Sequence, residues 1–186
     1  MATSTKTFAG ITKPSTTHKA TYGTGSSLPT PPSGTEGEDA NYTSLTTGDD
    51  NKWDTGAAFA GGIFPYKIYR WYVTETGITQ YTAGAEGWGL QDIGPEYYYG
   101  LYIWNFITNG GQWELLNSHA GSSDATITGN ITTNLANYIS AGYVYTATIG
   151  PAIQQWESGE LHDDYVYLTV TYTLPAATGN FFLLFK

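Results

Sequence analysis

Asp164-Tyr-Val-Tyr-Leu-Thr-Val-Thr-Tyr-Thr173 alternates side chains without a break. Val166, Leu168, Val170 and Tyr172 fall on one face; Tyr165, Tyr167, Thr169 and Thr171 fall on the other. Period-2 alternation over this length predicts a strand with one buried face. Working outward, similar stretches rich in Tyr, Trp, Thr and Val recur between residues 63 and 174, separated by Gly, Asn and Asp turns. Residues 66–73 place Tyr66, Ile68, Arg70 and Tyr72 opposite Lys67, Tyr69, Trp71 and Val73. Residues 78–83, 101–106, 124–131, 143–149 and 161–174 read as further strands, and Thr108-Asn-Gly-Gly111 reads as a hairpin turn into residues 112–116. Residues 84–100 read as a Gly-rich loop holding Trp88 and the Tyr97 to Tyr99 cluster, and residues 132–139 as a short helix or turn. No helical periodicity competes, so the pattern predicts an all-β sandwich or barrel.

Composition bounds the rest. A chain of 186 residues with 40% apolar and 16% aromatic content can bury a sizeable core. Cysteine is absent, which excludes disulfides, thiolate catalysis and Cys-ligated zinc. Three segments are expected. Residues 1–40 form an extended Pro/Ser/Thr-rich basic arm, with Lys6, Lys13 and Lys19 and no acid before Glu36. Residues 41–175 form the sandwich, and residues 176–186 an apolar tail or extra strand. All 16 acids lie beyond residue 35, against Lys52, Lys67, Arg70 and Lys186. An acidic body of this kind repels nucleic acid and anionic membranes, and no apolar run approaches a membrane span. The opening Met-Ala-Thr-Ser-Thr-Lys has no apolar leader core. That fits a cytosolic chain, a mature form, or one that leaves the cell without a leader, as virion components do.

From Asp49 to Tyr172 the order of elements carries a resemblance. They are Asp-Asp-Asn-Lys-Trp53, Pro65-Tyr-Lys-Ile-Tyr, Glu86-Gly-Trp, Leu101-Tyr-Ile-Trp-Asn-Phe106, Gln112-Trp-Glu-Leu-Leu116, residues 131–139 with Tyr138, and Asp163-Asp-Tyr-Val166. The order resembles galactose-binding-like jelly-roll domains, which recur in phage virion proteins, prokaryotic surface proteins and carbohydrate-binding modules. The resemblance implies a jelly-roll antiparallel β-sandwich of about eight strands and often a structural calcium. It implies no single function, because fold and function separate readily.

For a catalytic reading, His18, His119 and His162 are far apart, and no Gly-x-Ser-x-Gly, His-Glu-x-x-His or phosphate loop is present. Glu75, Glu86, Glu114, Glu157 and Glu160 are available, but nothing in the sequence pairs them as a glycosidase would need. A non-enzyme is expected. Calcium takes six to eight oxygens, commonly from loops, and Asp49, Asp50, Asp163 and Asp164 are its candidate ligands; the competing reading is turn formation. Trp53, Trp88 and Trp156 lie in expected loops, where a ring could stack on a pyranose or simply cap the core. Trp71, Trp104 and Trp113 sit in strands and read as core or sheet surface.

Two functions follow. The first is a non-enzymatic structural protein, a decoration or surface subunit of a virion or extracellular assembly. Its N-terminal arm (Lys6, Phe8, Lys13, Lys19) and apolar tail (Phe181, Phe182, Phe185) would grip other copies or a major structural subunit. The alternative is a carbohydrate-binding or adhesion module using Trp53, Trp88 and Trp156 on glycans. Both place the chain on a virion or extracellular surface.

Overall fold

The computed structural model describes residues 1–58, 62–92, 96–153 and 158–175. Their strands, in chain order, are β1 (Ala2–Lys6), β2 (Lys19–Gly25), β3 (Thr35–Glu36), β4 (Trp53–Ala58), β5 (Phe64–Tyr72), β6 (Ile78–Gln91), β7 (Tyr99–Asn105), β8 (Gln112–His119), β9 (Ala125–Ile131), β10 (Tyr143–Ile149) and β11 (Ser158–Tyr172). One short helix, α1 (Asp39–Ser44), precedes β4.

Two antiparallel sheets face each other. The first has the order β1-β11-β6-β9, with β4 sharing the β1 edge of β11. The second has the order β3-β2-β5-β10-β7-β8. Within β4 to β11 the chain assigns β4, β11, β6 and β9 to one sheet and β5, β10, β7 and β8 to the other. This double Greek-key order is the jelly roll. The segment that decided the sequence reading behaves as expected. Val166, Leu168 and Val170 are buried against Tyr69, Trp71, Tyr81, Leu101 and Ile103.

Two sequence expectations need correction. Residues 84–91 are not loop but the continuation of β6, paired with β11 from Gly84↔Tyr167 to Gln91↔Gly159. Glycine is needed there because Tyr167 lies across the strand; a Cβ at Gly84 would stand 2.2 Å from its ring. Residues 1–40 are not an extended arm apart from the sandwich either. β1 pairs with β11 from Ala2↔Tyr172 to Lys6↔Leu168, and β2 pairs with β5 from Lys19↔Arg70 to Gly25↔Phe64. Between them Phe8 is 1% exposed, stacked 5.3 Å from Tyr42 and tilted against Trp71 at 4.9 Å. Lys6 pairs with Glu75 at 2.6 Å, Lys13 with Glu38 at 2.7 Å and Lys19 with Glu36 at 3.0 Å. The physical reason is edge closure. β11 and β5 would otherwise present open ladders, and the polar segment beside them supplies the missing backbone partners. The apolar tail, with Phe181, Phe182 and Phe185, lies outside the described residues.

The N-terminal segment should therefore be integral to stability. Phe8→Ala is expected to lower unfolding free energy by about 3–5 kcal/mol, as for other buried aromatics, measured by urea denaturation; a free arm would give no change.

A pH effect follows from His18. Its Nδ1 accepts the Tyr72 N–H at 3.1 Å, and burial, then the charges of Lys6 and Arg70, push its pKa down to about 4. A depressed histidine stabilises the fold above the unfolded value of about 6.5, and this contribution is lost as pH falls toward about 4. Wild type should lose stability between pH 7 and 4 relative to His18→Asn, which keeps an acceptor but does not titrate. Equal slopes in urea titrations would refute this.

Candidate functional site

The second sheet is aromatic on both faces. Lys67, Tyr69 and Trp71 of β5 point into the sandwich, so Tyr66 and Ile68 point out. Across the ladder the outward row continues through Ile149 opposite Tyr66, Ala147 opposite Ile68, and Tyr102 opposite Ala147. Trp104 and Trp113 face each other across β7 and β8, with ring centres 5.3 Å apart in an edge arrangement. Phe106 packs edge-on against Tyr145 at 6.1 Å. Arg70 lies 4.8 Å over the Tyr143 ring.

This outward row is a second apolar cluster, separate from the sandwich core, containing Tyr66, Ile68, Trp104, Tyr145, Ala147 and Ile149. At its Phe64 end it opens into a cavity of about 450 Å³ lined by Phe64, Glu96, Tyr97, Tyr98, Ile149 and Pro151, among others. The Tyr98 and Tyr102 hydroxyls lie 3.2 Å apart. Burial, then the bond to Tyr98, pushes the Tyr102 phenol above its ordinary range, so it stays neutral and can both donate and accept. The backbone holds this end closely. Tyr98 N–H donates to Gly89 O at 3.2 Å, and Gln91 N–H to Glu96 O at 3.0 Å.

Of the tryptophans expected to bind sugar, the two among the described residues, Trp53 and Trp88, do not converge. Trp53 is 4% exposed, edge-on to Tyr22 at 5.5 Å and beneath the Lys67 ammonium at 5.2 Å; it is core, because it opens β4 rather than lying in a loop and its ring faces into the sandwich. Trp88 is half-buried on the first sheet, stacked 4.4 Å from His162. His162 in turn contacts Asp54 through Nδ1 at 2.5 Å and Glu160 through Nε2 at 3.0 Å. Trp156 lies outside the described residues. The sequence reading missed Phe64, Glu96 and Tyr98. Its one available signal was a carboxylate directly before a run of three tyrosines.

A family model, AF_1625_C, described as "Uncharacterized protein, C-terminal domain", matches residues 17–172. The chain belongs to this family. The matched span runs from just before β2 to the end of β11, so the aromatic face and cavity of this AF_1625_C member lie within it while β1 precedes it. No curated protein matches the sequence. Among solved structures the chain is similar to a CBM4 module, with 11% identity, TM-score 0.41 and coverage of 67% of this chain and 87% of that one. It is also similar to the CBM22-1 xylan-binding domain of Paenibacillus barcinonensis Xyn10C, with 11% identity, TM-score 0.34 and coverage of 69% and 86%. A third is the family 11 carbohydrate-binding module of Clostridium thermocellum, with 9% identity, TM-score 0.37 and coverage of 93% and 89%. Likeness at this level carries no inference about ligand.

The residues expected to hold calcium do not fit it as a set. Asp163 is fully buried, and its Oδ2 accepts from the Lys67 ammonium at 2.7 Å. Tyr99 OH donates to its Oδ1 at 2.6 Å. Asp49 Oδ1 accepts the Asn51 N–H at 3.1 Å, which is a turn contact. Asp50 and Asp164 do meet, but through the Asp50 N–H at 3.0 Å from Asp164 Oδ2. Nearby, Lys52 pairs with Asp124 at 2.6 Å. Burial, then the charges of Asp164, Asp124 and Asp50, raises the Glu86 pKa. Among the described residues, no group of three or more His, Cys, Asp or Glu side chains is placed to hold a metal ion. The Lys67 ammonium supplies the positive charge at Asp163, and the Lys52 ammonium sits between Asp50 and Asp124.

Lys67→Met should leave Asp163 as an uncompensated buried carboxylate and cost about 3–5 kcal/mol. The double variant Lys67→Met with Asp163→Asn should recover part of this loss in a double-mutant cycle; additive losses would show that the two are not coupled.

Proposed function

We propose that the chain is a non-catalytic carbohydrate-binding module whose ligand enters the cavity at Phe64, Tyr97 and Tyr98. The observation that carries this reading is the cavity itself: aromatic walls, a volume within the range of small-molecule sites, and one carboxylate, Glu96, at its lining. Rings offer a flat apolar surface to the C–H face of a pyranose, while Glu96 and the tyrosine hydroxyls accept or donate to its hydroxyls. Cleavage of a glycoside would need two carboxylates flanking the bond. The described lining residues supply one, which supports binding over hydrolysis. A glycan ligand would be met at an extracellular surface.

The assembly reading rested on a basic arm and an apolar tail, and the tail residues Phe181, Phe182 and Phe185 lie outside the described residues. In the arm, Lys6, Phe8, Lys13 and Lys19 contact acids and rings of their own subunit, which removes that part of its support.

A glycan array with the intact chain, followed by calorimetry on the strongest ligand, tests the proposal. Tyr98→Ala should weaken binding about tenfold, the scale of one lost aromatic contact, with an unchanged far-UV spectrum. Silence across neutral and acidic glycans would overturn it.

A further inference from the structure

The cavity is only one end of the aromatic face. The outward rings beyond it point away from the core, yet Tyr66 is 7%, Trp104 6% and Tyr145 7% exposed. Part of their cover is the chain's own loop between β2 and β3. Residues 26–34 read Ser-Ser-Leu-Pro-Thr-Pro-Pro-Ser-Gly and carry no charge. β2 and β3 lie at one edge of the sheet and β8 at the other. Even so, the Trp113 Nε1–H on β8 donates to the Pro29 carbonyl at 2.9 Å, and Leu28 packs against the same aromatic cluster. The loop therefore leaves its own edge and lies over the face.

Its attachment is of a particular kind. Pro29, Pro31 and Pro32 have no N–H and cannot join a ladder. The Thr21 hydroxyl donates to the Ser33 carbonyl and ties down the far end. An indole N–H bonding a proline carbonyl over an aromatic groove is the way proline-rich segments are recognised in general. Such a segment is held by ring contacts and a few side-chain bonds, which a saccharide presenting apolar C–H faces and hydroxyls can replace one for one.

We infer that residues 26–34 are a resident competitor on the glycan-binding face: a linear saccharide chain longer than the Tyr98 cavity binds by displacing Leu28 and Pro29 from the Trp104 and Trp113 end. This rests on the saccharide reading above and deepens it by naming the ligand class, an extended unbranched chain, and the element that regulates its access. Short sugars occupy the open cavity and do not meet the strap. Longer chains bind only the fraction of molecules with the strap open, so their apparent affinity falls by that fraction.

The test uses the intact chain, linear cello- and xylo-oligosaccharides of one to six units, and the synthetic nonapeptide of residues 26–34. Leu28→Gly with Pro29→Gly loosens the strap; Thr21→Val removes the tie to Ser33 without altering the aromatic rings. Circular dichroism and unfolding midpoints confirm that both variants fold. The expected result is an affinity gain of about tenfold or more for the longest chains in the double variant, a smaller gain in Thr21→Val, and no change for the monosaccharide. The nonapeptide should compete with the long chain on the double variant. Equal or weaker long-chain binding by both variants would overturn the strap inference while leaving the saccharide reading intact. If no oligosaccharide binds any form, the saccharide reading loses its support. The nonapeptide then decides the strap, since binding to the double variant but not wild type sustains a displaceable peptide and binding to neither overturns it.

Discussion

Lys67 and Asp163 form an ion pair at 2.7 Å with neither side chain exposed, and the pair joins the two sheets through the middle of the core. Two buried charges are tolerable only when every donor and acceptor is satisfied. The ammonium donates to the Trp53 and Leu161 carbonyls as well as to the carboxylate, and the carboxylate also accepts from Tyr99 and Thr148. Burial pulls the Lys67 pKa down, and the charge of Asp163 opposes it. The arrangement constrains register severely. A slip of one residue in β5 or β11 would turn a charge out of its only compensated position. Strands β4, β5, β7, β10 and β11 are tied to this one network.

The aromatic face follows from that constraint. With Lys67 inward, alternation forces Tyr66, Ile68 and Arg70 outward, and the ladder sets Tyr145, Ala147 and Ile149 beside them. A sheet that is apolar on both sides cannot leave its second side bare without risking association. Here the loop after β2 leaves the ladder at Gly25, opposite Phe64, and crosses the face to Trp113 with Leu28 on the rings, while the Phe64 and Tyr98 cavity stays open. Structural cover and candidate binding surface are thus two parts of one face, and their boundary is where selectivity for ligand length would arise.

Edge closure explains the N-terminal segment in the same terms. β1 extends the free side of β11 and β2 the free side of β5, so the polar, proline-punctuated residues before β4 complete the sheets while Phe8 fills the space between α1 and Trp71.

Strand identity was legible in the sequence wherever alternation was strong. Residues 143–149 match β10 as read, and 164–173 has the single buried face its alternation predicted, with Val166, Leu168 and Val170 inward, because period-2 patterning is a local property of the chain. The order of elements from Asp49 to Tyr172 was also enough to indicate the jelly roll. Residues 2–6 were not legible as a strand, since their pairing depends on an open edge at Leu168 to Tyr172, at the far end of the chain, and their own side chains are mostly polar. Nor could the sequence say that Trp53 is core, that Asp163 holds a lysine rather than calcium, or that Phe64, Glu96 and Tyr98 share a cavity. Those outcomes belong to tertiary structure, because they are decided by which strands become neighbours and which face each presents.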